Sequence, residues 1–151
     1  MANQYRLRPV ALKYPGSQPE ESSMSASRET LEAVFAAFNR HDAAGVMAHM
    51  TDDVVFETAA GPEAYGTRIS GNINVGAAFE KVWAHSPDVQ WKNTNHFVAG
   101  NIGVSQWTFV ATLPDGKRVE ADGCDIFTFR DGRICRKQAF RKDRPLQEPA
   151  A

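Results

Sequence analysis

A single acidic side chain, Asp125, interrupts an apolar run in the second half of the chain, where it stands between Cys124 and the segment Ile126–Phe129. In apolar surroundings a carboxyl group keeps its proton to higher pH. It can then donate a hydrogen bond to a developing oxyanion, act as a general acid, or serve as a base near neutral pH. Asp125 is therefore the strongest candidate for a reactive group, and its role depends on the strands that position it.

The segment from Gly116 to Lys142 predicts a β-hairpin around Asp125. Two alternating runs meet at Asp131-Gly132, the dipeptide favoured where both residues of a tight turn need positive φ. If the turn contains only these two residues, Asp125 lies directly opposite Gln138 on one face of the sheet.

A second predicted turn, from Pro114 to Lys117, lies one strand upstream. If Pro114 pairs with Lys117, Asp125 also lies opposite Gln106. One acid flanked by two amides, which can orient the acid or a ligand carbonyl, would then stand in a largely apolar wall typical of a ligand pocket. The same face is predicted to carry Ile102, Val104, Thr108, Val110, Phe127, Phe129, Ile134 and Phe140.

This register depends on the length of both turns, because one additional residue in either loop moves a strand's side chains to the other face. The other face is predicted to carry Trp107, Phe109, Cys124 and Ile126. An alternative role for Asp125 is a structural salt bridge to Arg136, which lies diagonally across the hairpin. For Gln106 and Gln138 the alternative is ordinary polar pairing within the sheet.

Two further polar side chains are candidates for contact with a ligand. His96 is the one histidine that the pattern places on a strand, and its alternative role is that of a hydrogen-bonded structural group. Tyr65 lies in a glycine-containing loop and can either donate a hydrogen bond to a ligand or anchor the loop. No pair of the four histidines has the spacing of a metal site, and neither a metal nor a cofactor is predicted.

The composition favours a single cytoplasmic domain. The chain has 151 residues, 42% of them hydrophobic, with a formal net charge of -1, so no overall charge favours nucleic acid or a membrane as a partner. No run approaches the roughly 18 apolar residues of a membrane span, and the N-terminus lacks the apolar core of a signal peptide. Cys124 and Cys135 lie out of register on the two arms of the hairpin, too far apart for a disulfide, which predicts free thiols.

The first half of the chain predicts three helices. Ser27 can cap a helix whose apolar residues recur at helical spacing, and Asp42 can cap a short second helix that extends through Met50. A strand is predicted at Val54–Thr58, and Asn74 can cap a third helix.

From residue 89 onward, four long antiparallel strands are predicted, separated by Gly-Asn, Pro-Asp-Gly and Asp-Gly turns. The order α-α-β-α-β-β-β-β predicts an α+β fold in which three helices from the N-terminal half lie over one face of a curved antiparallel sheet. Residues 1–24 are predicted to form a flexible tail or arm, residues 25–144 the domain, and residues 145–151 a frayed C-terminal tail.

This order of elements, with VFAAFNRHDAAGVMAHMTDDVVFE and DIFTFRDGRI in their places, resembles the nuclear transport factor 2-like superfamily, and within it the SnoaL-like and ketosteroid-isomerase-like branch. The resemblance covers residues from Ser27 to Arg144. It implies a cone-shaped, cystatin-like α+β half-barrel with a deep pocket between sheet and helices, and commonly a homodimer formed through the sheet. Because the superfamily contains isomerases, cyclases, lyases, hydrolases and non-catalytic binding modules, the resemblance does not identify a reaction.

The isomerases of this superfamily offer a residue-by-residue comparison. Their oxyanion acid, in the penultimate strand, corresponds to Asp125. Their general base corresponds to Thr58 and their helix-one tyrosine to Val34, so two of the three catalytic positions lack a suitable group. The resemblance also implies that Phe56 and Thr58 line the pocket. The predicted register places Trp107 on the face opposite Asp125, which usually meets the partner subunit in this superfamily, so Trp107 is expected to make a core or dimer contact.

Together these observations predict a SnoaL-like small-molecule enzyme that carries out cofactor-free proton transfer on a hydrophobic carbonyl-bearing or aromatic substrate. The reaction would be of the isomerase, lyase or hydrolase type, with Asp125 as acid, base or oxyanion donor and Gln106 and Gln138 as catalytic orienting groups. The predicted substrate-binding residues are Phe56, Thr58, Tyr65, His96, Thr108, Phe127 and Phe140.

Two alternatives accompany this prediction. The first is a non-catalytic module that binds a small ligand or serves as an accessory protein on the same fold. The second concerns the seven basic residues between Arg130 and Arg144, which form either a solvated surface or a recognition site for an anionic ligand or an acidic partner.

Overall fold

The computed structural model of the protein describes residues 25–149, and the tail predicted for residues 1–24 lies outside them. The helices and strands in this part of the chain are α1 Arg28–Asn39, α2 Ala43–Met47, β1 Met50–Glu57, β2 Arg68–Ser70, α3 Asn72–His85, β3 Gln90–Ala99, β4 Ile102–Thr112, β5 Arg118–Arg130 and β6 Arg133–Arg141. The predicted α+β fold is confirmed.

The first two helices begin at the predicted side-chain caps. Ser27 Oγ accepts a hydrogen bond from the Thr30 amide at 3.1 Å, and Asp42 Oδ1 accepts one from the Gly45 amide at 2.9 Å. Each bond satisfies a helix-end N–H that has no partner within the helix. α2 is shorter than predicted, because Met50 is the first residue of β1 and not the end of the helix.

α3 begins two residues before its predicted cap. Its N-cap is Gly71, whose φ of 88° is rarely adopted by other residues, and no side chain caps the helix. Asn74, the predicted cap, instead donates a hydrogen bond to the Ser70 carbonyl oxygen at 2.9 Å. The edge strand β2 was not predicted, because three residues are too few to show an alternating pattern.

The six strands form one curved, unclosed sheet in the order β2-β1-β6-β5-β4-β3. Strands β3 to β6 form the predicted antiparallel meander. The predicted sheet was antiparallel throughout, but β1 lies parallel to β6 and so joins the two halves of the chain. The helices pack against one face, here called the inner face, and the opposite face is called the outer face.

Aromatic side chains dominate the core between the helices and the inner face. The rings of Phe35 and Phe127 meet edge to face at 6.3 Å between centroids, and those of Phe38 and Phe79 at 4.9 Å. Contacts of this kind contribute about 0.5–1.5 kcal/mol beyond the area that they bury. They join α1 to β5 and to α3, and so fix the helices over the row of β5 that carries Asp125.

The turn between β5 and β6 is the one that the sequence predicted. Arg130 pairs with Arg133, and the two residues between them, Asp131 and Gly132, have φ values of 51° and 74°. Both lie in the left-handed region that this turn requires.

A bulge follows the turn and changes the register of β6. Cys135 has no partner in β5, and an extra residue of this kind shifts the alternation of the strand beyond it. Asp125 therefore pairs with Ala139 and not with Gln138, so the predicted facing of Asp125 and Gln138 is wrong.

The loop between β4 and β5 is also one residue longer than predicted. It closes at Leu113, whose amide donates a hydrogen bond to the Lys117 carbonyl oxygen at 2.8 Å. The register consequently places Ser105 opposite Asp125. The predicted facing of Asp125 and Gln106 is wrong for this reason.

The two shifts exchange several side chains between the faces of the sheet. The inner face carries Asp125 together with Ser105, Trp107, Phe109, Phe127, Lys137 and Ala139. The outer face carries Val104, Gln106, Thr108, Ile126, Gln138 and Phe140. The predicted faces are therefore correct for Cys124, Ile126, Phe127, Phe129 and Ile134, and wrong for Ile102, Val104, Trp107, Thr108, Phe109, Val110 and Phe140.

The C-terminal segment returns to the start of β5. Gln147 exchanges two backbone hydrogen bonds with Arg118, each 2.9 Å long. Part of the segment predicted to fray is therefore fixed to β5, and it brings Leu146 close to the end of α3.

Candidate functional site

Asp125 lies on the inner face of β5 with 0% of its surface exposed. The Lys137 Nζ donates a hydrogen bond to Oδ1 at 2.7 Å, and the Trp107 Nε1 donates one to Oδ2 at 3.0 Å. Because β6, β5 and β4 are neighbours in the sheet, three adjacent strands contribute one side chain each. Asp125, Lys137 and Trp107 are here called the inner cluster.

Aromatic rings surround the Lys137 ammonium group. Its Nζ lies 4.5 Å from the centroid of the Phe56 ring, 5.8 Å from that of Phe38 and 6.0 Å from that of Phe127. Electron-rich ring faces attract a cation, and the Asp125 carboxylate supplies the hydrogen-bond acceptor. The pair is thus removed from water. Loss of either partner would leave an uncompensated charge in the core.

Trp107 reaches Asp125 across a glycine. Gly123 on β5 is the backbone partner of Trp107, and a Cβ at this position would overlap the indole ring and the Phe140 carbonyl oxygen. The missing side chain lets the indole approach the backbone of β5. Its N–H then extends to the next inner-face residue, which is Asp125.

Burial raises the pKa of Asp125 above its usual value, although the donors Lys137 and Trp107 act in the opposite direction. The proton of the pair can lie on Lys137 Nζ or on Asp125 Oδ1, and the net charge is zero in both states. Because low polarity disfavours separated charges, the neutral acid and neutral amine are closer in energy to the ion pair than in water. A proton can therefore move between Asp125 and Lys137 without changing the net charge of the inner cluster.

A second polar pair on the inner face joins His96 to Ser105. The His96 Nδ1 and the Ser105 Oγ lie 2.8 Å apart, and the imidazole packs against Phe35 with 5.1 Å between ring centroids. Burial lowers the pKa of His96; the Glu32 charge acts in the opposite direction, and the Arg28 charge lowers the pKa further. His96 is therefore a hydrogen-bonded histidine that favours its neutral form.

A cavity of about 540 Å³, here called the mouth cavity, opens between α3 and the start of β5. Val82, Leu146, Phe109 and Arg141 are among its walls. The Arg141 guanidinium lies 5.1 Å from the centroid of the Phe109 ring. Arg141 pairs with Gly123, which is also the partner of Trp107, so this cation–π pair lies next to the inner cluster on the inner face.

Neither predicted amide contacts Asp125. Gln138 projects from the outer face, where its Nε2 donates a hydrogen bond to Glu57 Oε2 at 2.8 Å. Gln106 is exposed on the same face. The hydrogen bonds that orient Asp125 come instead from the other two members of the inner cluster.

The predicted ligand-binding residues do not converge on one site. Phe56 and Phe127 border the inner cluster through their contacts with Lys137. Thr108 projects from the outer face and donates a hydrogen bond to Asp122 Oδ1 at 2.8 Å. The inner cluster is thus lined by two of the predicted residues, and His96 lies elsewhere on the same face.

The structure contains a second buried carboxylate, Glu57, that the sequence pattern did not reveal. Glu57 lies at the end of β1 on the outer face and is 3% exposed. Its Oε1 accepts hydrogen bonds from Arg68 Nε at 3.1 Å and Nη2 at 2.8 Å, and both of its oxygens lie 2.9 Å from Arg136 Nη2. Burial alone would raise the pKa of Glu57, but hydrogen bonds from Arg68, Arg136 and Gln138 lower it.

Arg136 is therefore bound to Glu57 and not to Asp125, for which it was the predicted salt-bridge partner. A cavity of about 370 Å³, here called the rim cavity, adjoins this cluster where β1 ends. Its walls include four residues that were predicted at the ligand site: Thr58, Tyr65, Gln138 and Phe140. The rim cavity thus takes four of the predicted residues and the inner cluster takes Asp125 with Phe56 and Phe127, whereas Gln106, Thr108 and His96 lie at neither place.

Lys137 and Trp107 are the members of the inner cluster that the sequence did not reveal. The predicted register placed Trp107 on the wrong face, although the predicted core contact is confirmed for this buried indole. For Lys137 a signal exists, because Arg136 and Lys137 are adjacent on a strand that pairs with an apolar one. Successive side chains of a strand point to opposite faces, so one of these two basic residues had to point inward.

Residues 25–149 contain neither a candidate metal site nor a candidate membrane-spanning helix. No group of three or more His, Cys, Asp and Glu side chains in this part of the chain is placed to hold a metal ion. In the same residues, no helix is long and apolar enough to cross a membrane. Cys124 and Cys135 are free thiols, as predicted.

Comparisons with known proteins agree with the fold. Residues 31–137 match the family model of the SnoaL-like domain, and a comparison with curated proteins finds no match. A candidate polyketide cyclase from Pseudomonas putida KT2440 superposes with a TM-score of 0.69 at 18% identity, over 78% of this chain and 92% of that chain. A protein with a cystatin-like fold from Xanthomonas campestris gives 0.67 at 18% identity, over 76% and 89%. TerC, crystallised with polyporic acid, gives 0.64 at 21% identity, over 76% and 89%.

Proposed function

Because this chain belongs to the SnoaL-like domain family of the nuclear transport factor 2-like superfamily, we propose that it is a small-molecule enzyme that transfers protons at the inner cluster. The substrate is a hydrophobic molecule with a carbonyl group or an aromatic ring, and the reaction is of the isomerase, lyase or hydrolase type. The observation that carries this proposal is the hydrogen-bonded pair of Asp125 and Lys137, buried among aromatic rings.

Each member of the inner cluster has a proposed role. Asp125 is the acid, base or oxyanion donor, and general acid–base catalysis by a positioned group of this kind contributes typically about 10²–10⁴-fold in rate. Lys137 holds the proton when Asp125 is ionised. The Trp107 indole fixes the orientation of the carboxyl group through its hydrogen bond to Oδ2. These two donors take the orienting role that was predicted for Gln106 and Gln138.

The substrate is proposed to enter through the mouth cavity. A volume of about 540 Å³ lies within the range of about 300–1,000 Å³ that is common for ligand pockets. Asp125 itself is closed to solvent, so contact with a substrate requires that the Arg141–Phe109 pair moves while the Trp107 indole keeps its hydrogen bond to Oδ2. Phe56 and Phe127, which already border Lys137, would then become part of the pocket wall.

The relatives support a small-molecule site without identifying its chemistry. One of the similar structures is described as a candidate polyketide cyclase and another as TerC crystallised with polyporic acid. Reaction type and substrate differ widely among proteins that share a fold. The chemistry proposed for this chain therefore depends on its own inner cluster, and it requires no cofactor.

Deuterium exchange on a simple ketone tests the proposal in place of the natural substrate. A base that removes a proton next to a carbonyl group also exchanges that proton with solvent, so 2-tetralone in D₂O is a suitable probe for proton NMR. We expect the protein to accelerate exchange and Asp125→Asn to reduce the acceleration by about 10²-fold or more. Equal acceleration by Asp125→Asn, with its fold verified by circular dichroism, would show that Asp125 is not the acting group.

A non-catalytic module that binds small ligands is the alternative function. One observation favours it: Asp125 is not among the residues that line the mouth cavity, so a ligand can occupy that space without contact with the carboxyl group. In this case 2-tetralone would bind without accelerated exchange, and Asp125→Asn would retain the ligand. Titration of both proteins with 2-tetralone, followed by NMR, distinguishes the two functions.

A homodimer formed through the outer face and a cytoplasmic setting complete the proposal. The exposed apolar side chains Phe97 and Ile102, which are 53% and 39% exposed on the outer face, support the dimer. The free thiols of Cys124 and Cys135 are typical of a reducing compartment.

A further inference from the structure

The hydrogen-bond acceptors of the outer-face carboxylate Glu57 are fully used, whereas its two arginine partners retain N–H donors that can bind a ligand. Oε1 accepts hydrogen bonds from Arg68 and Arg136, and Oε2 accepts from Arg136 and Gln138. A guanidinium group carries five N–H donors, and both groups direct only part of them to Glu57. The side chains of Arg68 and Arg136 are 46% and 44% exposed, so their remaining donors are accessible.

The charge of the rim cavity favours an anion. Its charged walls are Arg68, Arg136 and Glu57, and the other lining residues are neutral. Two positive charges and one negative charge leave a local charge of +1. Because Glu57 is nearly buried and the guanidinium groups are half exposed, an incoming molecule meets the positive groups first.

Both arginines are held in place before any ligand arrives. The Arg68 guanidinium lies 4.0 Å from the centroid of the Tyr65 ring, and the Arg136 Nη2 contacts both oxygens of Glu57. Fixing a long side chain on binding costs conformational entropy. Here the two arginine side chains are already fixed before binding, by Tyr65 and Glu57. Glu57 therefore acts as a buried acceptor that orients two anion-binding groups.

A closed loop forms one wall of the rim cavity. The Thr58 amide donates a hydrogen bond to the Thr67 carbonyl oxygen at 3.0 Å, and the Thr67 amide donates one to Thr58 Oγ1 at 2.9 Å. The loop between them carries Tyr65 and Ala64 to the cavity, which Phe140 on β6 also lines. The cavity thus combines a cationic end with apolar walls.

We propose that the rim cavity is a second binding site, which takes a small organic carboxylate with an apolar or aromatic body. The carboxylate bridges the free N–H groups of Arg68 and Arg136, a pairing that guanidinium groups favour through their planar geometry. The apolar body lies between Tyr65 and Phe140. This site is separate from the inner cluster, because Glu57, Arg136 and Gln138 project from the opposite face of the sheet.

Binding of benzoate to the full chain tests this site. Two-dimensional NMR of the backbone amides should show saturable shifts at residues 58–68 and 136–140 when benzoate is added, with one benzoate per chain. Benzamide, which has the same shape without the charge, should cause no saturable shift. Arg68→Gln and Arg136→Gln should each weaken benzoate binding by about tenfold or more, whereas Arg28→Gln, which removes a charge from an exposed pair on α1, should leave it unchanged.

Glu57→Gln distinguishes a binding site from a purely structural ion cluster. The change raises the local charge from +1 to +2, so benzoate affinity should be retained or increased in any folded fraction, although the protein becomes less stable. Absence of saturable benzoate shifts in the wild-type protein would overturn the proposal. Equal affinity for inorganic phosphate and benzoate would overturn the proposed ligand class, and failure of Arg68→Gln to weaken binding would overturn the assignment to the rim cavity. None of these outcomes depends on activity at the inner cluster.

Discussion

Lys137 Nζ and Asp125 Oδ1 lie 2.7 Å apart on neighbouring strands, at a place where the two residues are 5% and 0% exposed. Their backbones are not directly opposite, because Asp125 pairs with Ala139 and Lys137 with Phe127. The hydrogen bond therefore crosses the hairpin diagonally and depends on the bulge that turns Lys137 inward. Because each side chain neutralises the charge of the other, the contribution of either residue to stability can be measured only when the two are changed singly and together.

Removing one partner of this pair should destabilise the protein more than removing both. Asp125→Leu leaves a buried ammonium group without its acceptor, and Lys137→Met leaves a buried carboxylate, so each should cost about 3–5 kcal/mol of unfolding free energy. The double variant replaces the pair with apolar groups of similar size and should recover most of this loss. Urea denaturation of the four proteins measures the coupling between the two residues.

An exposed ion pair provides the control for this cycle. Arg130 and Asp53 form a salt bridge between β5 and β1 at the surface, and Asp53→Asn should change the unfolding free energy little, because solvent screens such pairs. If Asp125→Leu and Lys137→Met proved additive, the two residues would not act as a pair.

Gly123→Ala should disturb the contact between Trp107 and Asp125. The new Cβ would overlap the indole ring and the Phe140 carbonyl oxygen, and overpacking of this kind typically costs about 1–3 kcal/mol. Because the indole must shift, the NMR resonance of the Trp107 Nε1–H should move, and a rate enhancement that depends on an oriented Asp125 should fall with it.

Gly76→Ala is the matched control. Gly76 lies within α3, and its added Cβ would lie 3.3 Å from Cγ of the flexible Met47 side chain. Alanine favours a helix interior over glycine by about 1 kcal/mol, so this variant should retain or gain stability. A Gly123→Ala protein as stable as wild type, with an unmoved indole resonance, would contradict the assigned role of the glycine.

The sequence was sufficient to predict the fold because its signals are local and agree with one another. Ser27 and Asp42 cap their helices as predicted, and Asp131 and Gly132 form the predicted turn. The general position of Asp125 in the penultimate strand followed from the same patterns. Each of these features depends on a few neighbouring residues, so no long-range information is required.

The neighbours of Asp125 could not be predicted, because they depend on strand register. The bulge at Cys135 and the longer loop that closes at Leu113 each shift a strand by one residue. Neither has a strong sequence signal, yet together they replace two predicted amides with Lys137 and Trp107. A similar limit applies to Glu57, whose arginine partners come from separate strands.

Protein stability should fall with decreasing pH in a window that His96 determines. Because burial lowers its pKa in the folded protein, the unfolded chain, with a histidine pKa of about 6.5, binds the proton first. The folded state therefore loses stability as pH falls from about 6.5 towards the lower folded pKa. His96→Asn should remove this part of the pH dependence, which urea denaturation at a series of pH values measures.

His85→Gln is the control for this prediction, because it removes an exposed histidine at the end of α3. The fall in stability that His96 causes should remain in this variant. The role of His96 would be disproved by an unchanged slope in His96→Asn.

The outer face carries a row of side chains that is apolar at one end and charged at the other, and the apolar end is the proposed dimer surface. One row of paired residues crosses β3, β4 and β5 as Phe97, Val104 and Ile126, then continues on β6 and β1 as Gln138 and Glu57. Apolar side chains in the first part of the row would be buried in a symmetric contact between two copies. The polar residues Gln138 and Glu57, in the second part of the row, would lie at the edge of that contact.

Sedimentation velocity of the wild-type chain should therefore show a dimer, and Phe97→Glu should shift it to a monomer, because the contact would bury two carboxylates without partners. Ile73→Glu provides the matched control, since Ile73 is 87% exposed on α3 and lies away from the sheet. It should leave the dimer intact. A monomeric wild-type chain would exclude the dimer. A Phe97→Glu variant that stays dimeric would place the dimer contact elsewhere.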